Sequence, residues 1–145
     1  MTLPLPIAVS ITPEQWAQTF QSCPDVVLAY QHGSTIKHPD GPHGDLDLAL
    51  LCRARLDPEQ RLALITTVGT VVRAHVPIAI DVRILNDASP IFAFQVLKHG
   101  RRVYGDATTA RNFVVTTLTR YFDYLPLQQF FIRRLEQRLG VTPHG

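Results

Sequence analysis

Asp45 and Asp47 frame the motif Asp45-Leu46-Asp47, and side chains two apart on a strand share one face. Their carboxylates would therefore lie side by side, while Leu46 and Leu48 turn into a core. Asp is a poor strand residue, and two like charges about 6 Å apart repel by about 3 kcal/mol at an effective dielectric near 20. A divalent cation relieves that repulsion. Mg²⁺ suits the donors, being a hard ion that takes a carboxylate or two together with substrate phosphates. Asp81, within Ile80-Asp81-Val82, adds a third acid from a second strand. Three acids on adjacent strands could hold one metal or two and serve an in-line phosphoryl displacement. Asp81 is then placed to take a proton from an attacking hydroxyl. Standing alone it would read as an ion-pair partner of Arg83, on the same face.

Gly33-Ser34 follows an apolar run and opens a helical turn. Free backbone N–H groups at such a start favour anions, glycine permits close approach, and the Ser hydroxyl adds a donor. Lys37 lies three residues beyond Ser34, on the same side of the turn, where it could neutralise a terminal phosphate. A Gly-Ser pair in isolation is simply a turn, and an Asp-x-Asp in isolation is an exposed edge. The order and spacing of the parts carry the reading. His32 ends the strand before the turn, and His38 and His43 around Asp40 read as solvated loop residues.

The elements needed to position these groups are marked along the chain. Thr12-Pro13-Glu14-Gln15 is a capping box with proline in the first turn, predicting a helix to about Ser22. Val26–Tyr30 reads as a buried strand, Asp45–Leu51 as a strand entering a core, and Pro77–Leu85 as a third. Asp57-Pro58-Glu59-Gln60 repeats the capping box and opens a helix to about Ala74. Ser89-Pro90 begins another that stops near His99-Gly100, with Gly100 as a left-handed cap. From about Thr108 to Leu139 the periodicity is helical, with Leu125-Pro126 as its break. Tyr121-Phe122-Asp123-Tyr124 reads as packing of this tail on the body, with partner docking as the rival. The order α-β-α-β-α-β-α followed by helices predicts an α/β (α+β) domain: a small mixed sheet flanked by helices, with a C-terminal helical tail.

At 145 residues the chain fits one domain over 1–145, with a core at about 11–105 and the tail at about 108–140. Its 46% hydrophobic and 18% charged content is that of a globular protein, and a net charge of +2 gives no push toward nucleic acid or membrane. Cys23 and Cys52 form no metal-binding spacing, and no signal-like or spanning segment is found, so a reducing cytoplasmic location is expected.

Gly33-Ser34, ten residues, Asp45-Leu46-Asp47 and the later Asp81 together resemble the polymerase-β-like nucleotidyltransferase superfamily. The short spacer and small size are similar to its minimal nucleotidyltransferase branch, which includes MntA-type antitoxins of HEPN/MNT toxin–antitoxin pairs. Ile80–Asn86 with Val96–Tyr104 resembles that branch's third-carboxylate strand and following helix, and Arg120–Leu127 its helical tail. The resemblance implies ATP as donor, with Mg²⁺ held by Asp45, Asp47 and Asp81. It further implies transfer of AMP to a tyrosine of a cognate HEPN RNase toxin, in a hetero-oligomer without membrane or direct nucleic-acid binding. The chain departs from the pattern in its spacer. Thr35 and His38 stand where Arg and Gly are common, and Gly44 stands where Ser precedes the first acid; Lys37 matches a position often held by Arg. Two other functions share these residues: nucleotidyl transfer to an antibiotic, and an antitoxin that neutralises by binding alone.

Overall fold

The computed structural model describes residues 11–37 and 44–141. Two capping boxes start the helices on one side of a sheet. Thr12 accepts from the Gln15 amide and opens α1 (Pro13–Gln21), and Asp57 accepts from the Gln60 amide and opens α3 (Pro58–Arg73). Between and after them run β1 (Val26–His32), a four-residue turn of helix α2 (Ser34–Lys37), β2 (Asp45–Cys52) and β3 (Ala79–Ile84). Ser89 caps α4 (Pro90–His99), which leads into β4 (Arg101–Tyr104) and the long helix α5 (Ala107–Leu139).

The four strands form one mixed sheet in the order β3-β2-β1-β4. β1 pairs antiparallel with both β2 and β4, whereas β2 and β3 are parallel and joined through α3. Alternation along β2 sends Leu46, Leu48 and Leu50 into a core with Trp16, Phe20, Leu64, Val68, Val72, Val82 and Ile84. The opposite face packs Leu28, Tyr30 and Ala49 against Ala93, Val96 and Ala110 of α4 and α5. Alternation along β1 serves both cores, and an irregularity between Val26 and Leu28 turns Val26 to the core of Ala29. The far end of the β2–β3 pair is tied by Asn86, which accepts from the Cys52 amide at 2.8 Å and donates to the Cys52 carbonyl at 2.9 Å. Cys23 and Cys52 are free and buried, and burial pushes the Cys52 thiol up to about 11.

The α/β architecture agrees with the sequence reading, and three local expectations are corrected. Residues 101–104 form β4, a strand absent from the expected order; its pattern is too short to stand out, and its pairing with β1 makes it. Gly100 is not a left-handed cap: its φ is −85° and its backbone is extended. Glycine is required there because a Cβ would come within 2.5 Å of the Val96 carbonyl oxygen and 2.9 Å of that of Gln31. Pro126 does not end the tail, since α5 continues unbroken for 33 residues with the proline inside it. Proline removes one backbone donor and crowds the preceding turn, and the helix formers on either side outlast that local cost.

Leu48 is fully buried at the centre of the larger core. Leu48→Ala is expected to lower the unfolding free energy by about 2–5 kcal/mol, as for other buried leucines, measured by urea denaturation followed by circular dichroism.

Candidate active site

The register of the sheet puts the candidate residues in one row. His32 of β1 stands opposite Asp47 of β2, and Asp47 stands opposite Asp81 of β3. Directly paired residues on neighbouring strands share a face, so imidazole and two carboxylates line up across three strands about 4.8 Å apart. Asp45 is one step along the same face of β2, opposite Ala79. Asp45 and Asp81 are exposed while Asp47 is half-buried, and Leu46 and Val82 between them are buried. The expected juxtaposition of three acids on two strands is therefore present.

Gly33 holds a positive φ of 79° after β1. A Cβ on it would fall 2.1 Å from Oδ2 of Asp47, so the carboxylate packs directly against the glycine backbone. Beside the phosphate role expected for Gly33, its close neighbour among the described residues is Asp47. Ser34 begins α2 and is exposed. Thr35 is buried, and its Oγ1 accepts from Nε2 of the buried Gln31 at 3.0 Å. Arg101 of β4 donates to Oε1 of the same glutamine at 3.3 Å. Thr35, at a position where the family pattern often has arginine, thus pins the turn from inside. Lys37 closes α2, but its side chain lies outside the described residues, as do His38, Asp40 and His43.

Burial raises the pKa of Asp47, and the neighbouring charges of Asp81 and Asp45 push it the same way, against His32 and Arg83. Burial lowers that of His32, although Asp47 pulls it upward. Nε2 of His32 is buried without a hydrogen-bond partner among the described residues. Phe92 of α4 walls the row: its ring meets the His32 ring edge-on at 5.6 Å and lies 5.1 Å from the Arg83 guanidinium carbon. Arg83 also approaches Asp81, with Nε 3.5 Å from Oδ2. β3 is an edge strand, and along it opens a cleft of about 370 Å³ lined in part by Arg61, Arg83, Ser89 and Phe92. His32, Arg83 and Phe92 had little weight in the sequence. Their roles come from register and from α4 packing, which no local pattern encodes.

Among the described residues, no three His, Cys, Asp or Glu side chains close on a common point as a finished metal cage. The face instead offers oxygen donors in a row, and at one of them, Asp47, burial and like charge disfavour the ionised form. That donor set fits Mg²⁺, which takes few carboxylates and completes its shell with phosphate oxygens and water.

A family model described as polymerase beta nucleotidyltransferase matches residues 14–109. No curated protein matches the chain by sequence. Among solved structures, a chain of a mutant toxin–antitoxin MntA–HpeT complex is 20% identical with a TM-score of 0.71, over 86% of this chain and 98% of that one. A chain of a toxin–antitoxin crystallised with AMP-PNP is 21% identical, also with a TM-score of 0.71, over 86% and 98%. A chain of the tri-AMPylated Shewanella oneidensis HEPN toxin in complex with MNT antitoxin is 22% identical with a TM-score of 0.66, over 85% and 94%. At this level of identity the likeness establishes the shared fold.

Two outcomes test the electrostatics and packing of the row. The folded pKa of Asp47 lies above its unfolded value, so its ionised form costs stability above the folded pKa, and the cost fades as pH falls toward the unfolded value. Asp47→Asn is therefore expected to raise the melting temperature at pH 7 in EDTA, with the gain shrinking toward pH 4, in thermal scans. Gly33→Ala, which combines a strained φ with a clash against Asp47, is expected to cost about 1–3 kcal/mol in denaturant titration.

Proposed function

The chain belongs to the polymerase β nucleotidyltransferase family, and from that premise we propose that it transfers AMP from ATP to a tyrosine of a cognate HEPN RNase toxin, acting as its antitoxin. The observation that carries the reading is the Asp47–Asp81 pairing across β2 and β3, with Asp45 beside it and Gly33 beneath it. Family membership supports nucleotidyl transfer. The choice of acceptor is supported by the similar fold of chains from toxin–antitoxin crystals, one with AMP-PNP and one with a tri-AMPylated HEPN toxin.

In this reading Asp45, Asp47 and Asp81 hold Mg²⁺, which supplies charge neutralisation for the triphosphate. Gly33, Ser34 and Lys37 receive phosphate oxygens at the start of α2. The tyrosine oxygen attacks the α-phosphorus of ATP, and the bond to the pyrophosphate oxygen breaks as the new P–O bond forms. Asp81, exposed on the edge strand and reached by Arg83, takes the phenolic proton. His32 and Phe92 keep water from the inner side of the row, where Asp47 is half-buried. We take 1–145 as one domain in this reading, with the core of about 11–105 carrying the site and the tail of about 108–140 packed on it through its first half.

The test is transfer of label from α-phosphate-labelled ATP to the cognate HEPN protein in the presence of Mg²⁺. Asp45→Asn with Asp47→Asn is expected to reduce labelling to background while the circular dichroism of the fold persists. Undiminished labelling by that double variant would exclude these acids as the site. Antitoxicity that survives in the variant would instead favour neutralisation by binding.

A further inference from the structure

Helix α5 is half covered and half bare. Its first half packs through Ala110, Phe113 and Thr117, and Tyr121 stacks on Phe94 of α4 with ring centroids 3.9 Å apart. The same stripe continues in steps of three and four residues as Leu125, Gln128, Ile132, Leu135 and Leu139. Leu125 and Gln128 are still half-buried, but Leu135 and Leu139 are 55% and 68% exposed, and Phe131 beside them is 65% exposed. Nothing among the described residues covers them. Steps of three and four are the spacing with which one helix receives another, and exposed apolar side chains in such a run mark an interaction surface.

The chemistry of the flank narrows the occupant. Arg133, Arg134 and Arg138 make no ion pair among the described residues, and Glu136 and, just before the seam, Asp123 are the only acids of α5 after Tyr121. A second copy would bring three more arginines to the same seam, with two acids per chain to meet them. A membrane surface is favoured by helices whose polar face is free of apolar groups. Here Phe122, Leu127 and Phe130, all more than half exposed, lie among the arginines. A helical protein with an aliphatic stripe bordered by carboxylates fits both features.

The direction of α5 gives the seam its use. Gly105, just before the helix, lies against Val27 and Leu28 at the start of β1; Phe113 meets Tyr30 midway; Phe94, which stacks on Tyr121, is two residues from Phe92 at the His32 end. α5 therefore runs alongside β1 toward the acid row, and its bare half, residues 125–139, about 22 Å long at 1.5 Å per residue, leaves the body at that end. We propose that residues 125–139 dock a helix of an acidic-flanked partner protein and so hold that partner at the edge of the Asp45–Asp47–Asp81 row. This rests on the transfer reading above in taking the docked protein to be the acceptor.

The test uses the full-length protein, its cognate HEPN protein as probe, and two surface variants whose fold is checked by circular dichroism. Ile132→Asp with Leu135→Asp is expected to weaken binding about 30-fold or more, the effect of losing a hot-spot side chain. Arg134→Glu with Arg138→Glu is expected to weaken it and to flatten its salt dependence. Binding unchanged in both variants, or no binding by the parent chain, overturns the proposal. So does a parent chain that is a dimer by light scattering and becomes a monomer on Leu135→Asp, or one that sediments with phosphatidylcholine–phosphatidylglycerol vesicles only while the seam is intact. A complex that forms through the seam and is never labelled keeps the seam and overturns the transfer reading. Labelling of a complex that ignores the seam variants does the reverse.

Discussion

Asp47 and Asp81 face each other across a parallel strand pair, and much of the molecule holds two like charges in that position. Left to itself the pair would splay or slip register. A slip of one residue would turn the acids inward and the leucines outward, so the apolar alternation of β2 and β3 locks the register from the other face. Asn86 fixes the far end of the same two strands through both backbone groups of Cys52. Gly33 fixes the near end by leaving room for the Asp47 carboxylate. Stability is thus given up at the row and recovered in the core behind it, as is common where a site needs groups that the fold alone would not favour.

Around that pair the supporting residues divide by element. β1 brings His32 and the Gln31–Thr35 bond that pins the turn; β4 brings Arg101 to Gln31; α4 brings Phe92 against His32 and Arg83. The β1 residues lie far in sequence from those of α4 and β4. They meet because the sheet order is β3-β2-β1-β4, which puts the acids' two strands at one edge and the turn-bearing strand at the centre.

The fold was legible where one residue decides the outcome locally. Thr12, Asp57 and Ser89 announce their helices by capping chemistry, and all three cap in the structure. The Asp-x-Asp on an apolar strand was legible for the same reason, since side-chain period alone sets its face. What depended on pairing was not legible. β4 exists because β1 has a free edge, Gly100 is glycine because two carbonyl oxygens crowd it, and His32 joins the row only through register. Pro126 stays inside α5 because a proline is a local penalty, whereas helix continuation is a sum over both flanks. Residues 38–43 of the Thr35–Gly44 spacer lie outside the described residues.

The central claim is that this row of acids receives a metal-bound nucleotide. Its most direct test is the anomalous signal of Mn²⁺, as a stand-in for Mg²⁺, in crystals grown with a non-hydrolysable ATP analogue. The account predicts a metal peak ligated by carboxylate oxygens of Asp45 and Asp47 and by phosphate oxygens, with the phosphates against Gly33-Ser34 and Asp81 within reach of the α-phosphorus. A metal and nucleotide bound elsewhere, with the acid row left bare, would contradict it.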